Sequence, residues 1–339
     1  MSMMIHVDDV TKYFGPVLAV DHISFEVAEG EIVGYLGPNG AGKTTSLRIL
    51  TTYLPATSGV ARVAGHDVMT ESLEVRRKIG YLPDQVPMYP EMRVEEYLSY
   101  RAKLKGVPRA GRAQRIDYCL ERCRAREVRR RLIGTLSRGY RQRVGLADAM
   151  IHDPRILILD EPTVGLDPVQ IRETLALIKE LGESRTILLS THILAEVEAV
   201  CKRVIIIHAG QLSLDKPLKD MGGTRLIAVE ARGPGEAIAK ALNDIDGVEE
   251  VSVRQEEDGL FSFDLKTRDN ADLRESVSRK LAENSWPIRN LMLRRSKLED
   301  VFLEVVRQRD PLKQKQDAKA GAKSADEKEK QPAESGKAE

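Results

Sequence analysis

Near the N-terminus, apolar and polar positions alternate. Ile5, Val7 and Val10, then Ile23, Phe25 and Val27, fall mostly at the two-residue spacing of half-buried antiparallel strands. Residues 31–36 form a compact apolar run into a glycine-rich turn and are predicted as a strand, followed by a helix over 43–54 that ends before Pro55. Short strands are predicted at 60–63 and 78–82. From 91 to about 152 the period lengthens, and Val94, Tyr97, Leu98 and Ala102 share one helical face, so this stretch reads as a helical insert. Strands then alternate with helices: 156–160, 168–181, 186–190, 194–201 and 204–208. Such alternation implies a mostly parallel sheet with helices on its faces. Met221-Gly222-Gly223 breaks the pattern. Beyond it the expected order is strand 226–230, helix 237–243, hairpin 248–254 and 260–265, helix 271–284, strand 288–294 and helix 298–306, a split βαβ arrangement with an added helix. The expected organisation is therefore an α/β domain over 1–221 and a small α+β domain over 224–309. After Arg309 apolar residues nearly vanish, and 310–339 is expected to be a disordered charged tail.

Composition narrows the classes. The chain has 339 residues, with 53 basic against 52 acidic, so it lacks the net positive field of a charge-driven nucleic-acid binder. Three cysteines are too few and too odd for a disulfide scaffold and point to a reducing compartment. Cys119 and Cys123 could share a helix face, but no nearby ligand completes a metal set, and they read as structural. No run approaches the ~18–20 apolar residues of a membrane span, and the N-terminus lacks a basic-then-apolar signal. The expected location is cytoplasmic. The arginine-rich stretch from Arg122 and Arg124 through Arg126, Arg129, Arg130 and Arg131 reads first as a solvated face, with a phosphate or acidic partner as the second reading.

The chemistry gathers in a few short runs. Gly37-Pro38-Asn39-Gly40-Ala41-Gly42-Lys43-Thr44, with Thr45 following, fits a phosphate-binding loop between a strand and a helix. Its glycines let backbone N–H groups turn inward, and the helix start adds positive potential. Lys43 is expected to reach the β- and γ-phosphates, and the Thr44 hydroxyl to ligate Mg²⁺. The strand at 156–160 ends in Asp160 and Glu161. In a parallel sheet that end faces the ligand, so Asp160 is expected beside Mg²⁺ and Glu161 beside the attacking water as general base. Leu136-Ser137-Arg138-Gly139-Tyr140 opens another helix, with Ser137 as cap and as a phosphate contact.

This last run resembles the signature motif of the ATP-binding cassette (ABC) family, whose common form is Leu-Ser-Gly-Gly-Gln; Arg138 and Tyr140 depart from it. The other family motifs follow in order over residues ~5–220. Val164-Gly165-Leu166-Asp167 resembles the D-loop, His192 the switch histidine at the γ-phosphate, and Phe14 the aromatic that stacks on adenine. Where the family has its Q-loop glutamine, this chain has Asp84, with Gln85 one residue later. Residues 296–303 resemble the end of an accessory domain found on exporter-type members.

The resemblance implies a P-loop ATPase fold of the ABC type, with ATP and Mg²⁺ bound and ATP hydrolysed. It implies a homodimer with two ATP molecules, each between Gly37–Thr45 of one chain and Ser137 and Gly139 of the other, and it makes Asp167 an ATP-binding residue. The implied function is the motor of a transporter, of the exporter type, peripheral on the inner face of the membrane and driving a separate transmembrane permease through the helical insert. The weighed alternative is a non-transport soluble ABC ATPase of the cofactor-assembly or scaffold type. The spacing of 94 positions between Lys43 and Ser137 leaves no room for the coiled coil of chromosome-type members.

Overall fold

A computed structural model of the chain describes residues 2–221, 225–257, 259–268, 271–295 and 298–302. The elements of the first part are β1 (Met3–Phe14), β2 (Val17–Ala28), β3 (Ile32–Leu36), α1 (Lys43–Leu50), β4 (Ser58–Val63), β5 (His66–Asp67), α2 (Ser72–Lys78) and β6 (Ile79–Leu82). The helical insert carries α3 (Val94–Leu104), α4 (Arg112–Arg122) and α5 (Arg138–Met150). Then come β7 (Ile156–Asp160), α6 (Pro168–Leu181), β8 (Thr186–Thr191), α7 (Leu194–Val200), β9 (Arg203–His208), β10 (Gln211–Pro217) and α8 (Leu218–Met221). The last part is β11 (Arg225–Arg232), α9 (Gly235–Asn243), β12 (Val248–Glu257), β13 (Leu260–Thr267), α10 (Arg274–Glu283) and β14 (Ile288–Arg295).

The central sheet runs β10-β9-β3-β8-β7-β6. Its strands pair in parallel except for β10, which joins β9 antiparallel as an edge. Successive side chains of a strand point to opposite faces, and here both faces are buried. Leu157 and Leu159 of β7 enter one core with the helical insert, whereas Ile156 and Ile158 enter another with β1, β2 and α1. That two-sided burial explains why β7 reads as an unbroken apolar run. An antiparallel sheet, β2-β1-β4-β5, closes over the second core.

Four helical or strand segments escaped the sequence reading, the four-residue α8 among them. β10 alternates poorly because it is a half-buried edge. α2 buries only Val75, and β5 is two residues long. α1 stops at Leu50 rather than continuing to residue 54. Thr52 takes a left-handed φ of 62°, and the Thr52 and Tyr53 N–H groups donate back to Ile49 O and Arg48 O at 3.0 and 2.8 Å. This double closure ends a helix without glycine.

In the last part the sheet order is β12-β13-β11-β14, all pairs antiparallel, with α9 and α10 contributing Ile238, Leu242, Val277 and Leu281 to its core. This is the split βαβ topology. Helix 298–302 follows, and its Leu298 is buried in the first core, together with Met221 at the end of α8. The expected break at 222–223, the end of the last helix and the 310–339 tail lie outside the described residues. No helix among the described residues is long and apolar enough to cross a membrane.

Candidate active site

Because β3, β6, β7 and β8 are parallel, their carboxyl ends lie along one edge, and each delivers one predicted segment there. The Gly37–Gly42 loop leaves β3, Asp84 follows β6, Asp160 ends β7 with Glu161 next, and Ser190 and Thr191 end β8 with His192 next. Asn39, Gly40, Ala41, Gly42, Lys43, Thr44, Thr45, Asp84, Glu161 and His192 line one open cleft of about 840 Å³. Gln85 is not on that lining, so the residue the cleft receives after β6 is the aspartate.

The loop requires its glycines for stated reasons. A Cβ at Gly37 would stand 2.3 Å from Ile207 O, and Gly42 has a φ of 101° with Ala19 O 2.5 Å from its would-be Cβ. Only a residue without a side chain passes there. Lys43 is buried to 6 % exposure. Its Nζ donates to Gly37 O at 2.7 Å and Pro38 O at 3.2 Å and pairs with Glu161 Oε1 at 3.3 Å. The cation is thus held at the mouth of a loop whose helix begins with unpartnered N–H groups.

Asp160 is fully buried. Its Oδ1 accepts from Ser190 Oγ at 2.5 Å and Thr44 Oγ1 at 3.3 Å, while Oδ2 is buried with no partner. Burial pushes the Asp160 carboxyl above its ordinary range. The Ser190 and Thr44 hydroxyls oppose the shift, and the charges of Glu161 and Asp84 add to it. An orphaned carboxylate oxygen beside a threonine hydroxyl, under excess negative charge, suits a hard cation. Among the described residues, no group of three histidine, cysteine or acidic side chains is placed to hold a metal ion by itself. Mg²⁺ does not need one, since it uses one or two protein oxygens with phosphate and water.

Glu161 has a left-handed φ of 49°, a conformation that non-glycine residues keep only where surroundings enforce it. Its N–H donates to both O and Oγ of Ser190 at 3.1 Å. Its Oε2 lies 2.9 Å from His192 Nδ1.

A second cleft lies between the helical insert and the start of α6, lined by Ser137, Gly139, Tyr140, Asp167 and Gln170 among others. Ser137 caps α5, its Oγ accepting from Tyr140 N at 3.4 Å. Asp167 caps α6 by accepting from Val169 N and Gln170 N, both at 2.9 Å. Arg138, the departure from the common signature, lies against the D-loop: a Cβ on Gly165 would stand 2.4 Å from its Nη1. The other departure, Tyr140, donates its hydroxyl to Glu127. No residue lines both clefts.

Phe14 is 45 % exposed, with Lys12 Nζ 5.2 Å from its ring centroid, and is not on the lining of the first cleft, where Ala19 stands. The arginine-rich stretch is engaged within the chain. Arg129 pairs with Glu95 at 2.7 Å and with Asp117, Arg122 reaches Glu180 at 3.7 Å, and Arg124 reaches Glu173 at 3.8 Å. Two residues escaped sequence reasoning: Ser190, between the two acids, and the buried Glu196 behind them.

Comparison with known proteins agrees with this geometry. Residues 20–164 match the family model described as ABC transporter. The bacitracin transport ATP-binding protein BcrA of Bacillus licheniformis is 32% identical over 310 residues, covering 90% of this chain and 98% of that protein. The linearmycin resistance ATP-binding protein LnrL of Bacillus subtilis (strain 168) is 29% identical, covering 89% of this chain and 98% of that one. Among solved structures, the dimeric post-hydrolysis state of the ATP-binding cassette MJ0796 bound to ADP and Pi superposes with a TM-score of 0.59 at 26% identity, over 63% of this chain and 99% of that one. The chain belongs to the family of ABC transporter ATP-binding proteins. It has the P-loop ATPase fold of the family's cassettes, and it binds and hydrolyses ATP as the ATPase component of such a transporter.

Proposed function

We propose that two copies of this chain form the motor of an exporter, closing around two ATP molecules at the inner face of a membrane and driving a separate permease. The separation of the two clefts carries this reading. One holds the phosphate loop and the acids, the other the capped helix start, and a complete site needs one from each of two chains. The transport names of the relatives support the export assignment. Residues 1–221 serve as the cassette in this reading, with 224–309 as an accessory α+β unit and 310–339 as a tail.

The residues divide the work as follows. The N–H groups of Gly37–Thr45 and the Lys43 ammonium cradle the β- and γ-phosphates. Ser137 and Gly139 offer the partner's nucleotide a helix start, and Asp167 keeps α6 in place beside them. Phe14 meets the adenine from the end of β1. Glu161 accepts the proton of the attacking water. His192, bonded to Glu161, orients it toward the γ-phosphate, and Asp84 takes the Q-loop position. Thr44, Asp160 and Asp84 would hold Mg²⁺, which when bound neutralises phosphate charge.

The test is Glu161→Gln in the purified chain. We expect ATP binding to persist, turnover to fall about 10²–10⁴-fold, and an ATP-dependent dimer to accumulate by light scattering. Near-normal hydrolysis removes Glu161 from the role of base. A variant that binds ATP and stays monomeric argues against the two-chain site.

A further inference from the structure

Of three consecutive residues at and just beyond the end of β8, the outer two reach the acids at the end of β7 directly. Ser190 donates to Asp160 at 2.5 Å and His192 meets Glu161 at 2.9 Å. Thr191, between them, reaches the turn beyond through an intermediary. Its Oγ1 donates to Glu196 Oε2 at 2.7 Å, and the other oxygen, Oε1, accepts from Thr163 Oγ1 at 2.6 Å. Glu196, Thr163 and Thr191 are each 2 % exposed or less. The threonines also brace the adjacent backbone: Thr191 Oγ1 accepts from Ile193 N at 3.0 Å, and Thr163 O accepts from Leu166 N at 3.1 Å.

A carboxylate is costly to bury, and an apolar side chain would pack in its place unless the carboxylate does something. What satisfies Glu196 here is a pair of hydroxyls, one on each catalytic loop. The bridge spans from the residue beside His192 to the turn that runs from Glu161 to Asp167. We infer that Glu196 is a positioning residue for hydrolysis, holding the Glu161 turn and the His192 loop in fixed register from behind. The inference rests on the reading of Glu161 as base. Glu196 is buried and does not line the cleft of the phosphate loop. Its effect passes through where Glu161 and His192 stand, and displacement of reacting groups by about 1 Å can cost 10²-fold in rate.

The experiment measures ATP affinity and steady-state kinetics of the full chain for four variants. Glu196→Ala is expected to lower kcat by about 10²-fold with KM and ATP affinity within about 3-fold, the pattern of a transition-state effect. Glu196→Gln should restore at least about half the rate, because its amide can accept from one threonine hydroxyl and donate to the other. Thr163→Val, which removes one strut while keeping shape, should lower kcat about 10-fold, and it decides the matter if Glu196→Ala fails to fold. Normal turnover in Glu196→Ala, or in Thr163→Val where the alanine variant is unfolded, overturns the inference. So does a Gln variant as impaired as the Ala variant with affinity lost in parallel, which is what plain destabilisation gives. Glu161→Gln runs beside them. If it retains turnover, the base assignment has failed; if it is inactive while Glu196→Ala is not, only the positioning role has failed.

Discussion

Both clefts place a capped or glycine-led helix start at their floor, and both are suited to an anion, yet they differ in what surrounds that start. At α1 the loop is threaded between backbone atoms that forbid side chains, and a buried lysine and two buried acids stand over it. At α5 the surroundings are hydroxyl, glycine and cap residues, with Arg143 paired to Glu173 and Tyr140 to Glu127. In the proposed function the first cleft breaks the bond and the second recognises the nucleotide. The lesson is that a helix N-terminus supplies attraction for phosphate, whereas chemistry needs acids aimed by a second strand.

Mixing tests this division most severely. Lys43→Ala disables the first cleft and Ser137→Arg the second, so each variant alone should be inactive. A one-to-one mixture should regain about a quarter of the wild-type rate, because half the dimers are mixed and each of those has one intact site of two. A mixture as inactive as its components would mean that both clefts act within one chain.

A smaller effect should separate the two candidates after β6. Asp84 adds a third negative charge beside Asp160 and Glu161, so Asp84→Gln is expected to raise the Mg²⁺ concentration for half-maximal ATPase about 10-fold while some turnover remains. Gln85→Ala should change neither. The reverse outcome would shift the register by one residue.

The smallest effect concerns the contact between the end of α5 and the start of β6. His152 lies just beyond α5 and its Nε2–H donates to Ile79 O at the start of β6, which leaves Nδ1 buried and bare. Burial depresses its pKa from 6.5 to about 4. The unfolded chain therefore binds a proton that the folded one refuses, and stability is fully present above about pH 6.5 and is lost as pH falls toward 4. The loss is about 1.4 kcal/mol per pH unit within that window. Denaturant titrations should show His152→Asn with a shallower acid dependence than wild type; identical slopes would mean the ring is protonated in the fold.

The phosphate loop was legible because its constraint is local: glycines that only glycine satisfies, then a lysine, between a strand and a helix. The acids of β7 were legible because two-sided burial makes the strand an unbroken apolar run ending in charge. Glu196 was not, since a glutamate on a short helix reads as solvent-facing. Its partners come from the ends of two strands, and Thr163 is 33 residues distant. Ser190 was invisible for the same reason: a serine in a strand gives no sign that a carboxylate from the neighbouring strand lies beside it. β10 and α2 were missed because edge position and single-residue burial leave no period to read. The family resemblance supplied the order of motifs, but not which of Asp84 and Gln85 enters the cleft, which depends on how the chain leaves β6.

Met221 and Leu298 lie in the same apolar cluster as the helical insert, at the entrance to and exit from the α+β unit. That unit is therefore moored at both ends to the same extended apolar core, and the stretch between is a closed excursion rather than a pendant on a string. Once one mooring is made, the other forms at high effective concentration, so neither readily lets go alone. A rearrangement that displaces the cluster carries both moorings together. The unit is then expected to turn with the cassette, and an added length of chain at one mooring is expected to slacken that lever while leaving ATP affinity unchanged.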